Sequence, residues 1–412
     1  MLFKAIYFGW FLILFFACQP SKNETLAAFE VFCETVANDA KPIALHHPMD
    51  SAVVDALWTV FEKTAEKWGV SLYREAAFPK NLLFPGSVND GQHVVLIYHS
   101  PHLQQYLQWK SDQSAADPGD KDLQVALARR LGRLLGYGPE GINRLLAKNS
   151  GYRSLASFGV VAQITHLYYK NPEEAIAFYE NILGLPKDGT NRFRISADTG
   201  IEIHPFDTLH PAGQPKSTAI ALLTDQLPEW YAYIQSKSIP VKYPYKPRKG
   251  GPHDGFVASD PGGYLLEFEQ FKQHPENEGL MAVLASAPRV NTTPEGLYFF
   301  GSITWTYHQD LLKMQRYYEE ILGYPLMADQ GWTKIYQTSP TGFIGLVDER
   351  RGMENYADKK AVELEWRVRD LQELKAYAKD SWRAYDPAIH TVSGPESYRY
   401  RLSGKETNPP GQ

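Results

Sequence analysis

The sequence predicts an α+β fold in which strand–helix–strand units repeat behind a separate α/β region. An internal repeat is the first sign: Phe178-Tyr179-Glu180-Asn181-Ile182-Leu183-Gly184-Leu185 returns as Tyr317-Tyr318-Glu319-Glu320-Ile321-Leu322-Gly323-Tyr324. A short alternating strand precedes each copy, Ile164-Thr165-His166-Leu167-Tyr168 in one and Ile303-Thr304-Trp305-Thr306-Tyr307 in the other. The composition, 43% hydrophobic and 22% charged, is that of a folded globular chain. At one register the first copy carries His166 and the second Trp305, which suggests one working site and one scaffold.

Residues 1–17 read as a targeting segment. Lys4 supplies a positive charge, and the apolar run from Ala5 to Phe16 is short for a membrane span. The run ends at Phe15-Phe16-Ala17-Cys18, which resembles the bacterial lipoprotein cleavage site. That resemblance implies lipidation of Cys18 and a protein of the bacterial cell envelope, anchored to a membrane by lipid and facing the periplasm or the cell surface. An ordinary secretory signal or an uncleaved anchor is the alternative reading. With Cys18 acylated, Cys33 has no partner in the chain, so stability is expected from cores and not from disulfides. A net charge of -5 without a basic block excludes a phosphate-tracking surface, and with it nucleic acid.

Residues 18–30 are expected to form a tether and 31–152 an α/β domain of unknown role. In that domain Pro42 to His47 and His93 to Tyr98 read as strands, and Ser51 to Lys67 and Asp122 to Leu135 as helices. Ser111 to Lys121 reads as a polar connection. A domain over 158–272 follows. It opens with a strand at 161–169 and a helix started by Asn171 as cap and Pro172 at the first helical position. Gly184 stops that helix. Strands are expected at 192–196 and 201–205, then again at 219–223, 255–259 and 264–271, with a helix at 227–237 and a turn at Asp260-Pro261-Gly262-Gly263. Residues 273–296 read as a linker. A second domain over 297–404 repeats the pattern but lacks a recognisable final strand. Its incomplete sheet leaves an edge that invites pairing between copies.

The strand with His166, the Asn171-Pro172-Glu173-Glu174 helix ending Ile182-Leu183-Gly184-Leu185, and Asp260-Pro261-Gly262-Gly263-Tyr264-Leu265-Leu266-Glu267 together resemble the vicinal oxygen chelate superfamily. That group includes glyoxalase I, extradiol dioxygenases, methylmalonyl-CoA epimerase and the fosfomycin and bleomycin resistance proteins. The resemblance implies tandem βαβββ modules whose sheets form a cup, with metal ligands on the first and last strands of each module. Carried over by position, these are His166, Glu202, Ala219 and Glu267; Ala219 departs from the pattern. A tentative divalent metal (Mn, Fe or Zn) is implied, and Glu202 and Glu267 are the candidate catalytic carboxylates.

The residue types suit that chemistry. An imidazole with two carboxylates binds such ions and leaves positions for substrate oxygens, and a spare carboxylate can move a proton. His204, two residues beyond Glu202 on the same strand face, is a candidate replacement for the missing ligand. Each also has an ordinary reading: His166 as a packed strand histidine, Glu202 and Glu267 as solvated strand carboxylates, Glu269 as the true partner on the face of Glu267, and His204 and His253 as loop or surface residues. His46-His47 and His99 with His102 match no ligand spacing. The second copy, with Trp305 for the imidazole and Ile344 near the Glu202 position, is expected to bind no metal.

The expected function is a membrane-tethered metalloenzyme acting on a small substrate with adjacent oxygens. A lyase or isomerase fits better than a dioxygenase, because His253 lies too near the Asp-Pro turn and Val257 stands where the oxygenase pattern has a tyrosine. The alternative is a lipoprotein that uses the same cup to bind a small ligand or a partner without chemistry.

Overall fold

The computed structural model describes residues 21–84, 92–291, 296–382 and 384–404. The expected targeting segment and Cys18 lie outside the described residues. The chain forms two compact units, one of residues up to 116 with 130–137, the other of 117–129 and everything from 138 onward. The expected boundary at 152 is corrected by this division. Residues before it already belong to the second unit, where Asn143 donates to the Glu319 carbonyl at 3.0 Å.

The first unit holds α1 (Lys22–Ala37), β1 (Ile43–Leu45), α2 (Ser51–Trp68), β2 (Ser71–Glu75), β3 (Val94–Tyr98) and α3 (His102–Ala115). Its three strands run antiparallel in the order β1-β3-β2. Helix α1 replaces most of the expected tether. Ser21 and Glu24 cap its start reciprocally, and Phe29, Cys33 and Val36, at helical spacing, bury themselves with Val54, Leu57 and Phe61 of α2. The first part of the expected polar connection is the end of α3, whose Tyr106, Trp109 and Gln113 form a buried stripe. Cys33 is free and buried, its thiol pushed up to about 12 by burial and then by the charge of Glu30.

Helix α4 (Lys121–Leu134) belongs to the second unit up to Arg129 and to the first from Arg130; in the second unit α5 (Pro139–Ser150) then precedes four related modules. Module 1 is β4 (Val160–Tyr169), α6 (Pro172–Ala177), β5 (Arg192–Arg194) and β6 (Thr199–Pro205). Module 2 is β7 (Thr218–Leu223), α7 (Leu227–Ser236), β8 (Val241–Tyr243), β9 (His253–Ser259) and β10 (Leu265–Phe271). A helix, α8 (Glu278–Leu284), and β11 (Val290–Asn291) lie in the expected linker, and β11 pairs with β12 (Tyr298–Phe299) just beyond it. Module 3 is β13 (Gly301–His308), α9 (Leu311–Arg316), β14 (Leu326–Asp329), β15 (Thr333–Gln337) and β16 (Gly342–Asp348). Module 4 is β17 (Val362–Val368), α10 (Leu371–Ser381), β18 (Tyr385–Asp386), β19 (Thr391–Ser393) and β20 (Arg399–Gly404). The repeat visible in the sequence is thus shared by modules 1 and 3 of a set of four, and in both it closes as a π-helical turn. Asn171 makes no side-chain cap; Pro172 does stand at the first turn as expected.

The sheets do not follow chain order. Modules 1 and 4 build a seven-stranded sheet, β18-β19-β20-β17-β4-β6-β5, and modules 2 and 3 an eight-stranded one, β14-β15-β16-β13-β7-β10-β9-β8. Two expectations are corrected here. Residues 158–272 and 297–404 are not separate cups, and β20 supplies the final strand that the second copy had been expected to lack. Each sheet is joined at its centre by the first strands of two modules, β4 against β17 and β7 against β13, both antiparallel. That pairing covers edges that would otherwise be open.

Tyrosines tie one sheet to the other. Tyr264 of module 2 accepts from the Tyr168 backbone N–H at 2.8 Å and donates to the Ala361 carbonyl at 2.5 Å. Tyr398 of module 4 accepts from the Tyr307 N–H at 2.8 Å and donates to the Ser217 carbonyl at 2.7 Å. The Asp260 turn aims Tyr264. Its carboxylate accepts from Gly262 and Tyr264 backbone N–H groups and from the hydroxyls of Tyr169 and Tyr179. Gly262 is required there, since a Cβ would lie 2.4 Å from the Tyr169 ring.

Period-two alternation then decides what each face of the seven-stranded sheet carries. Leu167, Tyr169, Ile201, Ile203, Leu364, Trp366, Tyr400 and Leu402 enter the core. His166, Tyr168, Glu202, His204, Glu363, Glu365 and Arg401 fall on the opposite face. Replacing Tyr264 by Phe strands a buried N–H and a buried carbonyl at once, and should cost about 1–3 kcal/mol in urea unfolding; an unchanged midpoint would refute this role for the hydroxyl.

Candidate metal centre

Two strands of module 1 and one of module 4 assemble the site. β4 and β6 run parallel with His166 directly opposite Glu202, and His204 follows two residues later on the same face. His166 Nδ1 lies 2.8 Å from His204 Nε2, and His204 Nε2 lies 3.5 Å from Glu202 Oε1. These three side chains offer donor atoms all within 4.8 Å of one another. No other group of three such residues meets that condition among the described residues.

Module 4 contributes the support. Glu365 Oε2 lies 2.9 Å from His166 Nε2. In the neutral ring this carboxylate holds the proton on Nε2 and leaves the lone pair on Nδ1, the atom that faces His204 and Glu202. Glu365 also accepts from Ser403 Oγ at 2.6 Å and Arg367 Nε at 3.0 Å. Burial pushes its carboxyl up, but the hydrogen bond and charge of His166, with Ser403 and Arg367, outweigh that and hold it well below the usual carboxylate range. Burial, and then the neighbouring charge of His166, lower His204, which favours the neutral ring that a metal ligand requires. Arg192 Nη1 lies 3.5 Å from Glu202.

Beyond His204 the same face continues as a stack. The Tyr168 ring lies 5.2 Å from that of His204 and 3.6 Å from that of His210. Its hydroxyl donates to Glu363 at 3.0 Å and accepts from Arg401 at 3.1 Å. Glu363, 1% exposed, also takes Arg399 at 3.1 Å.

The structure therefore brings His166, Glu202 and His204 together and leaves Glu267 out. Glu267 sits on β10 of the other sheet, so it is not a ligand of the His166 site; module pairing, invisible in local pattern, is the reason. In register, Glu267 stands opposite Ala221, two residues beyond Ala219, and Trp305 opposite Gly345, the neighbour of Ile344. The four matching positions of the eight-stranded sheet are thus Ala221, Glu267, Trp305 and Gly345, one donor among four. The indole occupies the place of a ligand, and a Cβ at Gly345 would fall 1.9 Å from its ring.

Around Glu267 a different arrangement forms. His253 Nδ1 lies 2.8 Å from Glu269 Oε1, and that ion pair raises the imidazole to about 9. Burial, and then the charge of Glu269, push the Glu267 carboxyl up to about 8. His253 therefore belongs to this pair and not to the metal centre. In the first unit, His46 is a structural histidine, with ring nitrogens 3.2 Å from the Thr25 and His47 carbonyls.

Glu365 is the functional residue that sequence reading missed. Glu363-Leu364-Glu365-Trp366-Arg367 alternates charged and apolar residues, which marks a strand with one charged face, but nothing local tells which sheet it joins.

Residues 160–268 match the family model of the Glyoxalase/Bleomycin resistance protein/Dioxygenase superfamily, so the chain carries a domain of that superfamily. Among solved structures it is similar to a putative dioxygenase from Bacillus subtilis subsp. subtilis str. 168, at 16% identity over 60% of this chain and 85% of that one, with a TM-score of 0.41. It is also similar to glyoxalase I from Zea mays, at 15% identity over 58% of this chain and 92% of that one, with a TM-score of 0.39. No curated protein matches it.

The folded chain keeps protons on Glu267 up to about pH 8 and on His253 up to about pH 9, where the unfolded chain has released them from about 4.5 and 6.5 upward. The native state binds more protons in that window, so stability falls as pH rises through it. Glu267→Gln should flatten the slope between pH 5 and about 8 in a series of urea midpoints; a slope identical to the parent's would count against this assignment.

Proposed function

We propose that this protein is a divalent-metal-dependent enzyme acting on a small substrate with two adjacent oxygens, such as a hydroxycarbonyl, a keto acid or a catechol. The observation that carries the reading is the His166–Glu202–His204 set with Glu365 behind His166. Ligands held about 2.1 Å from a common ion stand roughly 3.0–3.5 Å apart; His204 Nε2 lies 2.8 Å from His166 and 3.5 Å from Glu202, and all three donors lie within 4.8 Å of one another. Two imidazoles and a carboxylate suit Mn, Fe or Zn. A bound ion of this kind supplies Lewis-acid polarisation of a substrate oxygen.

The chain's own residues do the rest. Glu365 fixes the tautomer and orientation of His166. Glu202, half-buried and with Oε2 3.5 Å from Arg192 Nη1, is the carboxylate placed to take up a proton at that oxygen while Oε1 faces His204. The Tyr168 hydroxyl, held between Glu363 and Arg401, borders the site with a fixed hydrogen-bonding group. A proton-transfer reaction of lyase or isomerase type fits these residues. One observation favours a second reading, a dioxygenase: two histidines with one carboxylate are the donor set of non-haem iron oxygenases. Lys4, the apolar run to Phe16 and Ala17-Cys18 support export and a lipid anchor at the cell envelope.

Elemental analysis of the purified full chain should find one equivalent of Mn, Fe or Zn, absent from His204→Ala. Glu365→Gln should weaken metal affinity about 10- to 100-fold, and oxygen uptake with catechols would select the dioxygenase reading. A well-folded protein that takes up no metal would overturn the proposal and leave a ligand-binding domain. Cys18→Ser should move the protein from the membrane fraction to the soluble one in a fractionated cell lysate.

A further inference from the structure

A cavity of about 260 Å³ opens beside the sheet that carries the metal centre, between the β6–β7 connection (206–217), the β16–β17 connection (349–361) and the start of β20. Its lining includes Lys359, Lys360, Arg399, His210, Gln214 and Asp358. Lys360 is the unusual member. It is 5% exposed, yet its ammonium makes one hydrogen bond, to the Glu396 carbonyl at 2.7 Å. Otherwise it lies over aromatic rings, 3.8 Å from the centre of Tyr398 and 4.8 Å from that of Tyr356.

A buried ammonium without a carboxylate against it is costly, because its charge has lost water and gained little in return. Burial pulls its proton affinity down to about 8. Two of its three N–H donors find no acceptor among the described residues. Nearby, Arg399 lies on Glu363 and Lys359 is exposed, while the Asp358 carboxylate at the rim accepts from the Tyr356 hydroxyl at 2.6 Å. Burial lowers the His210 imidazole, and Asp207 lies 3.2 Å from its Nδ1. The charges of Glu396 and Asp358 act on Lys360, yet among the described residues no carboxylate forms an ion pair with its ammonium.

We propose that this cavity is an oxyanion site centred on Lys360, holding a carboxylate or phosphoryl group of a small organic acid. The oxyanion takes the remaining N–H donors of Lys360 and the field of Lys359 and Arg399. His210, which lines the cavity, stacks on Tyr168, and Tyr168 stacks on His204. If the metal-enzyme reading above holds, on which this step rests, the substrate is acidic: its anionic group sits here and its adjacent oxygens reach past Tyr168.

Calorimetric titration with malonate and with methyl phosphate tests the site directly, using the metal-free full chain and the His204→Ala variant. Saturable one-to-one binding of either probe, present in both proteins and weakened at least about tenfold in Lys360→Met, is the expected result, the loss of one charge-assisted contact. The tighter probe identifies the group. Because Lys360 is buried, its variant is checked by circular dichroism, and the exposed Lys359→Gln supplies a second arm with weaker binding and a reduced salt dependence. Absence of saturable binding by the parent protein, or binding that neither substitution changes, overturns the oxyanion site. Binding that persists in His204→Ala stands even where the metal reading fails.

Discussion

The antiparallel seam between β4 and β17 is the constraint on which the rest depends. It sets Glu363 opposite His166 and Thr165 opposite Leu364, joining the first strand of module 1 to the first strand of module 4. Without it Glu365 has no route to the Nε2 of His166, and Arg401 none to Tyr168. The seam is held by ordinary forces. Leu167 and Tyr169 on one strand and Leu364 and Trp366 on the other are buried in a common core, and Tyr264 and Tyr398 bond the two sheets through backbone groups that would otherwise be buried unpaired.

The same seam, made a second time between β7 and β13, has a different outcome. There Ala221 faces Ile303 and Trp305 faces Ala219, and the far side of the sheet fills with apolar residues such as Val257, Ile335 and Phe343. Duplicated backbone geometry therefore carries two chemistries. In one sheet, alternation puts histidines and acids on the open face. In the other, an indole lies against Gly345 and leaves no room for a side chain there. Selection of glycine at 345 and of tryptophan at 305 are two sides of one packing solution.

Charge is arranged as a connected system on the functional face. Glu365 and Glu363 are each surrounded by donors, which is why buried carboxylates are tolerated there. Lys360 has instead one carbonyl and two aromatic rings against its ammonium.

Much of this was legible in the residues. The repeated Tyr-Glu segment, the Pro172 helix start and the Asp260-Pro261-Gly262-Gly263 turn determined local elements, because caps, turns and period-two alternation depend on near neighbours in the chain. Glu202 and His204 were readable as one face of one strand, and His166 as its partner, since β4 and β6 belong to a single module. The pairing of module 1 with module 4 was not readable. It depends on the burial of whole faces between strands nearly two hundred residues apart, and no local pattern encodes which edge meets which. Tertiary structure alone therefore removed Glu267 from the site, brought in Glu365 and completed the fourth module. It also enclosed an ammonium that, in the sequence, is one lysine in a charged loop.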